Sequence, residues 1–528
     1  MPRGTLTILL LLALLFLCSS VAFLPLLGFE YDEVIFIQPL FHPAQSFASI
    51  KLFHHAIPVM QTSYAGALKT WIYAPIFRFY APSPFSVRFP VVILASITIF
   101  LLGVITRHLA SSRAAIFACA VLISDLNFFM VSVFDWGPVV IQNLLLAIGL
   151  YLILVQRKKP LAIPLAAFIF GLAMWDKALF LWTFSGLVLS GVIVGFRVIK
   201  REMSLKKSVF ALAAFGIGAS PLLLYNLKHH GETLQENTKL SFSEVGPKLT
   251  WLRIAVNDQA LENFFVDRTL VKSAATNPDS LNALSALTSR FHNAYSGRFP
   301  AFLFLCLAGL ALARSSKRRL ILWLELAIVL AWLQAAMTKN AGTSVHHLAL
   351  FYPILFIVMG ICADEITTRL QEFGRAFLGL FALLLCLTGF GIIGAQYVDF
   401  HRYSPSIAWT DADKMLARYL TANKGHQILA ADWGIASQAD VLTLGTLPIY
   451  DISFGLQDHS LTQKQLQNWA RIKPFIVLHT AEHTVFPNQN SKLESMVKAV
   501  GLTLIPVATI QDQAGHIIFE VDELTTSS

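Results

Sequence analysis

Apolar residues in this chain come in long blocks, and that patterning restricts the fold more than any single motif. Eleven apolar segments lie near 5–27, 89–106, 114–131, 138–155, 161–174, 179–196, 208–226, 299–313, 320–337, 348–362 and 376–395. A helix needs about 20 consecutive apolar residues to cross a bilayer, and several of these runs approach that length. The composition agrees, with 55% hydrophobic and only 13% charged residues and a mean hydropathy of +0.62. Soluble domains are about 25% charged, so an ordinary soluble enzyme is excluded. The sequence predicts a polytopic α-helical membrane protein with about eleven transmembrane helices. The first segment follows Arg3 and is longer than the apolar stretch of a signal peptide, so it reads as an uncleaved helix.

Charge placement gives the sidedness. The net charge of +9 is concentrated in alternate connections: Arg107 and Arg113; Arg157, Lys158 and Lys159; Arg197, Lys200, Arg201, Lys206 and Lys207; Arg314, Lys317, Arg318 and Arg319; Arg369 and Arg375. The intervening short connections hold none at 132–137, Lys177 near 175–178, and Lys339 in 338–347. Basic loops stay cytoplasmic, so the loops 28–88 and 227–298 and everything after about 396 are expected outside. The membrane module is therefore read as 1–395. The tail 396–528 has short strands at 427–432, 447–452, 474–479, 502–510 and 516–521 alternating with helices, which predicts an extracytoplasmic, periplasmic α/β domain with a largely parallel sheet. No glycine-rich phosphate loop opens its helices. All five cysteines (Cys18, Cys119, Cys306, Cys362, Cys386) lie in apolar runs and read as small buried hydrophobes.

Charged groups at the outer edge of such a bundle are costly and tend to be functional. Glu30-Tyr31-Asp32-Glu33 follows the first span directly, although a solvated loop start could hold the same acids. Asp135 sits in the very short turn Phe134-Asp135-Trp136-Gly137-Pro138, where it either caps the next helix or faces a cavity. The segment 64–75, with Lys69, leads to Ser86-Val87-Arg88-Phe89-Pro90 and suits a helix lying along the membrane surface. Lys177, Lys339, His346, His347 and Tyr352 complete the set. Adjacent histidines without a spaced third partner are a weak metal signal, so the metal is left open. Carboxylates and scattered cations on one membrane face suit transfer of a group from a lipid-linked phosphate: cations hold the leaving phosphate and a carboxylate takes the acceptor's proton.

In order along residues 5–360 these features resemble the GT-C superfamily of polyprenyl-phosphate-dependent glycosyltransferases, in the branch of the protein O-mannosyltransferases and the aminoarabinose lipid A transferases. The resemblance rests on Tyr31-Asp32-Glu33 after the first helix, Ser86-Val87-Arg88-Phe89-Pro90 at the second, Asp135 between the third and fourth, Gly171-Leu172-Ala173 with Lys177, and His347 with Tyr352-Pro353. It implies Asp32 as base on the acceptor, with Glu33 and Asp135 in the same cavity. It also implies Lys69, Arg88, Lys177 and Lys339 toward the donor phosphate, and His346, His347 and Tyr352 as further active-site candidates. Where these relatives carry an acid before the surface-helix lysine, this chain has Leu68. No cofactor is required by the resemblance, and a divalent cation is compatible with it. The implied partners are a polyprenyl-phosphate sugar donor, a lipid, protein or glycan acceptor, and membrane lipids, with no nucleic acid; the implied location is a bacterial inner membrane. A transporter or flippase of a lipid-linked substrate is the alternative, but transporters place polar groups at mid-membrane in broken helices, and here only Asp125 and Glu325 are charged within spans. A non-catalytic scaffold is the third reading.

Overall fold

The computed structural model describes residues 3–43, 46–261, 263–272, 279–291, 296–339 and 341–526. Each of the eleven apolar segments is helical. Among the described residues, five helices are long and apolar enough to cross a membrane on length and composition: Arg3–Val21, Pro84–Leu109, Phe180–Glu202, Ser315–Met337 and Val345–Arg402. They become seven if the bent pairs Ser112–Ile123 with Leu126–Val133, and Leu205–Gly218 with Ser220–Lys228, each count once. Val139–Leu154, Ala162–Asp176 and Arg298–Leu312 are shorter apolar helices. The last long helix counts once here and twice in the sequence because it breaks at Gln371, where φ is 49°, between the basic residues Arg369 and Arg375. Many apolar side chains stay exposed, Leu10, Leu11 and Leu14 on the first helix among them, as a lipid-facing surface requires.

Local chemistry sets the breaks. Ser83 and Pro84 open the helix to Leu109 through a reciprocal Ser83–Ser86 cap. Asp125 bends its helix pair by 65°, because its carboxylate accepts the Phe128 N–H at 2.8 Å and restarts the helix there. Outside the bundle lie a hairpin, β1 (Ala48–Leu52) with β2 (His55–Met60), and a short antiparallel pair, β3 (Val266–Val271) with β4 (Tyr403–Pro405).

The carboxyl-terminal part is a five-stranded sheet, β5 (Ile428–Ala430), β6 (Ile449–Asp451), β7 (Phe475–His479), β8 (Leu502–Gln511) and β9 (Ile517–Thr526), in the order β6-β5-β7-β9-β8. Strands β6, β5 and β7 are parallel, while β9 and β8 add on antiparallel, so the sheet is mixed. Its buried residues alternate between two cores. Phe475 and Val477 face Leu416, Leu420 and Ile435, and Ile476 and Leu478 face Leu466, Leu493 and Val497; a period of two with both faces covered explains the unbroken apolar run.

This domain is seated on the loop that follows the first helix. Gly28 N donates to Trp409 O (2.9 Å), Phe29 N to the Asp413 carboxylate (3.1 Å) and Gln438 Nε2 to Phe29 O (2.7 Å). Ser437 bonds Gln38, and His42 lies 3.1 Å from Asp440. A Cβ at Gly28 would fall 1.7 Å from Thr410 O, so only glycine lets the two backbones meet this closely.

Candidate active site

Tyr31–Val34 is a single helical turn whose amino-terminal end is closed by the acids Glu30 and Glu33. Glu30 Oε2 accepts from Asp32 N (2.5 Å), and Glu30 N donates to Glu33 Oε2 (3.0 Å). Glu33 turns inward to Arg88: Nε–Oε1 is 2.6 Å and Nη2–Oε2 is 2.8 Å, both side chains wholly buried. Arg88 donates its remaining N–H groups to Leu24 O, Leu27 O and Gly28 O, the carbonyls where the first helix ends. With Glu33 held below, Asp32 is the half-buried acid of the group. Burial raises its carboxyl above the ordinary value, against the ammonium charges of Lys177 and Lys69 and a hydrogen bond from Trp136. Glu30 is raised well above the carboxylate range by burial and by the neighbouring Asp32 and Glu33.

The turn after the third span aims Asp135 at the same region. Asp135 takes a left-handed conformation (φ 49°), which short polar residues tolerate best after glycine. It does not cap the following helix, which has no side-chain cap. Instead Oδ1 lies 2.9 Å from Lys69 Nζ and Oδ2 2.5 Å from the Tyr73 hydroxyl. Burial pushes this carboxyl up to about 7, against Lys69 and Tyr73. Lys69 Nζ also donates to Asp135 O (3.2 Å) and Gly137 O (3.1 Å). An ammonium has three N–H groups, so Lys69 has none left for an anion.

Lys177 differs. It is 3% exposed, yet among the described residues its ammonium has no hydrogen bond or ion pair. Burial lowers it to about 8, partly restored by the charges of Asp32 and Asp176. It is held in place by backbone pairing with the 64–67 segment: Gly66 N donates to Asp176 O (3.0 Å) and Ala178 N to Tyr64 O (2.8 Å). A Cβ on Gly66 would lie 2.2 Å from Trp175 O. Beside this contact opens a cavity of about 260 Å³ lined by Tyr64, Leu179, Lys239, Lys339 and His347 among others. Lys339 is exposed.

The remaining expectations separate. The His346 ring lies against Trp136 (4.8 Å, tilted by 56°) and shares a hydrogen bond with Ser344 (2.7 Å), while His347 Nδ1 accepts from Gly342 N (3.3 Å). Among the described residues no three His, Cys, Asp or Glu side chains gather as a metal site would need. Tyr352 lies elsewhere, with Asn127, Asp125 and Asp258. There Arg298, fully buried, pairs with Asp258 (2.9 Å) and Asp125 (3.3 Å). Arg88 and Lys69 likewise differ from the phosphate-binding expectation, since both are saturated by protein acceptors. Two features went unread in the sequence: Lys239 at the cavity, and, away from it, the buried Arg298 pairing. The last carried a signal, because Arg298-Phe299-Pro300 repeats Arg88-Phe89-Pro90 at the start of a second span.

A bundle of apolar helices, a helix at Leu68–Phe77 and a carboxyl-terminal α/β domain together give the architecture of a multi-pass α-helical membrane protein. Among solved structures the chain is similar to ArnT from Cupriavidus metallidurans bound to undecaprenyl phosphate, with a TM-score of 0.62, 11% identity, and 99% of this chain and 98% of that one covered. It is also similar to mycobacterial arabinofuranosyltransferase AftD (TM-score 0.51, 11% identity, 100% of this chain and 40% of that one). A third is the Archaeoglobus fulgidus oligosaccharyltransferase tethered with an acceptor peptide (TM-score 0.50, 12% identity, 98% and 74%). All three are GT-C glycosyltransferases, and at such identity the likeness is one of fold, as the sequence led us to expect. No family model and no curated protein matches the chain.

Proposed function

We propose that the chain is an integral-membrane glycosyltransferase that moves a sugar from a polyprenyl-phosphate donor to a hydroxyl on the extracytoplasmic side of a bacterial inner membrane. The observation that carries this reading is Lys177, a buried lysine whose ammonium has no hydrogen bond or ion pair among the described residues, placed near the half-buried Asp32 and beside a cavity lined by Lys239 and Lys339. A buried cation is costly unless something pairs with it, and an anionic ligand would. The fold neighbour with undecaprenyl phosphate bound supports a polyprenyl phosphate as that anion.

In this mechanism the acceptor hydroxyl attacks the anomeric carbon of the donor sugar and passes its proton to Asp32. The anomeric C–O bond breaks with its electron pair leaving on the phosphate, so polyprenyl phosphate departs with the added charge. Lys177 and Lys339 hold that charge as it develops. Glu33, Arg88, Lys69 and Asp135 serve as positioning residues: the first pair fixes the turn bearing Asp32, and the second fixes the turn bearing Trp136. The module 1–395 supplies the chemistry and the domain 396–528 covers it from outside. Purified protein given radiolabelled polyprenyl-phosphate sugars and a membrane extract as acceptor should release polyprenyl phosphate, and Asp32→Asn should release less than about 1% as much. Near-normal release from Asp32→Asn in folded protein would remove Asp32 as base.

A further inference from the structure

The surroundings of Asp32 are unlike on their two sides. On one side the charges acting on it are the ammonium groups of Lys177 and Lys69. Toward the carboxyl-terminal domain they are acidic and the apolar groups are aromatic. The Tyr31 ring, one residue from Asp32, lies 4.9 Å from the Trp433 ring at a 39° tilt. Asp451 stands close enough to act on Tyr31 electrostatically. Trp433 follows β5, Asp451 ends β6 and His479 ends β7, so these groups collect at the carboxyl edge of the three parallel strands, where open α/β sheets bind ligands. The edge is rigid: the buried Asp432 accepts from His479 Nδ1 (2.7 Å), Trp433 N (2.8 Å), Val485 N (2.9 Å) and Phe486 N (3.2 Å). Trp433 is half-buried and Asp451 exposed, so both are accessible to a ligand.

We propose that Tyr31, Trp433 and Asp451 form an acceptor site for a neutral sugar ring, beside Asp32 on the side of the carboxyl-terminal domain. This rests on the transferase reading above. A sugar presents an apolar C–H face, which an aromatic ring covers, and hydroxyl hydrogens, which a carboxylate accepts in charge-assisted bonds. A phosphate- or carboxylate-bearing acceptor would meet Asp451 and Asp32 and be repelled. The site thus assigns the acceptor to neutral glycans.

The test uses the full-length protein in nanodiscs with mannohexaose, maltohexaose and an arabinofuranose hexamer as neutral probes and hexagalacturonate as the anionic one. Saturation-transfer NMR reads binding, and release of polyprenyl phosphate is followed with and without probe. At least one neutral hexasaccharide should bind; Trp433→Ala should weaken it about tenfold and Asp451→Asn several-fold. In both variants slow donor hydrolysis to water should be unchanged while probe-stimulated release falls. Absence of binding by every neutral probe, tighter binding of hexagalacturonate, or unchanged binding in the variants would overturn the proposal. If Trp433→Ala fails to fold, the exposed Asp451 decides alone. Trp433-dependent binding without any donor release would sink the transferase reading and leave the sugar site standing.

Discussion

At the residue scale, the roles divide by how each charge is satisfied. Lys69 and Arg88 have every N–H committed to protein acceptors, whereas Lys177 is almost as buried and has none committed among the described residues. Sequence proximity cannot show this, because saturation depends on which carbonyls the fold brings up. The pH profile of transfer should therefore be bell-shaped. Asp32 must be anionic to act, and its raised pKa places the acid limb above the ordinary carboxylate range. Lys177 is lowered to about 8, so its charge is lost as pH rises through that value and the alkaline limb falls there. Lys177→Arg should move the alkaline limb upward, since arginine stays protonated; an unmoved limb would assign it to another group. Lys69→Met acts differently, stranding Asp135 in the interior. That should cost about 3–5 kcal/mol of stability, read as a lower unfolding midpoint in detergent, with Asp135→Asn recovering part of it in the double variant.

At the scale of elements, periodicity and caps were readable and contacts were not. The strands around 428, 449 and 475 fall within a residue or two of where alternation and turn residues put them, because local burial on two faces sets them. The hairpin β1–β2 was missed: His54, His55 and Lys51 interrupt its apolar pattern, and its support comes from Trp71 Nε1 and Trp175 Nε1, which donate to Pro58 O and Val59 O. Neither bond has a signature in local sequence. Gly66 is the clearest case of an element joint, since it lets the 64–67 segment lie against Trp175–Lys177. Gly66→Ala would push a methyl into the Trp175 backbone, costing about 1–3 kcal/mol and displacing Lys177. The expected result is a protein that folds with a reduced melting temperature and a KM for donor raised more than its kcat is lowered. Equal losses in both, or none, would place Lys177 outside donor binding.

At the scale of the whole molecule, the alternation of basic and neutral connections corresponds to two gatherings of loops. The neutral ones meet around Asp32: Lys69 reaches Asp135, Gly66 bonds Asp176, and Tyr64 shares a cavity with Lys339. Basic ones meet each other: Arg314 pairs with Glu365, Arg369 donates to Leu312 O and Lys317 to Leu109 O. Loops that charge alone sorted into two classes are thus sorted again by contact. The positive-inside rule predicts that the Asp32 end, with the domain 396–528 seated on it, faces outward. Single cysteines replacing Lys158, Lys339 and Gln457, all exposed, in a chain with its five native cysteines changed to serine, test this directly. In intact spheroplasts a membrane-impermeant maleimide should label positions 339 and 457 and reach 158 only after lysis. The reverse pattern would put Asp32 on the cytoplasmic face, where a soluble nucleotide-linked sugar rather than a flipped lipid donor would have to supply the reaction.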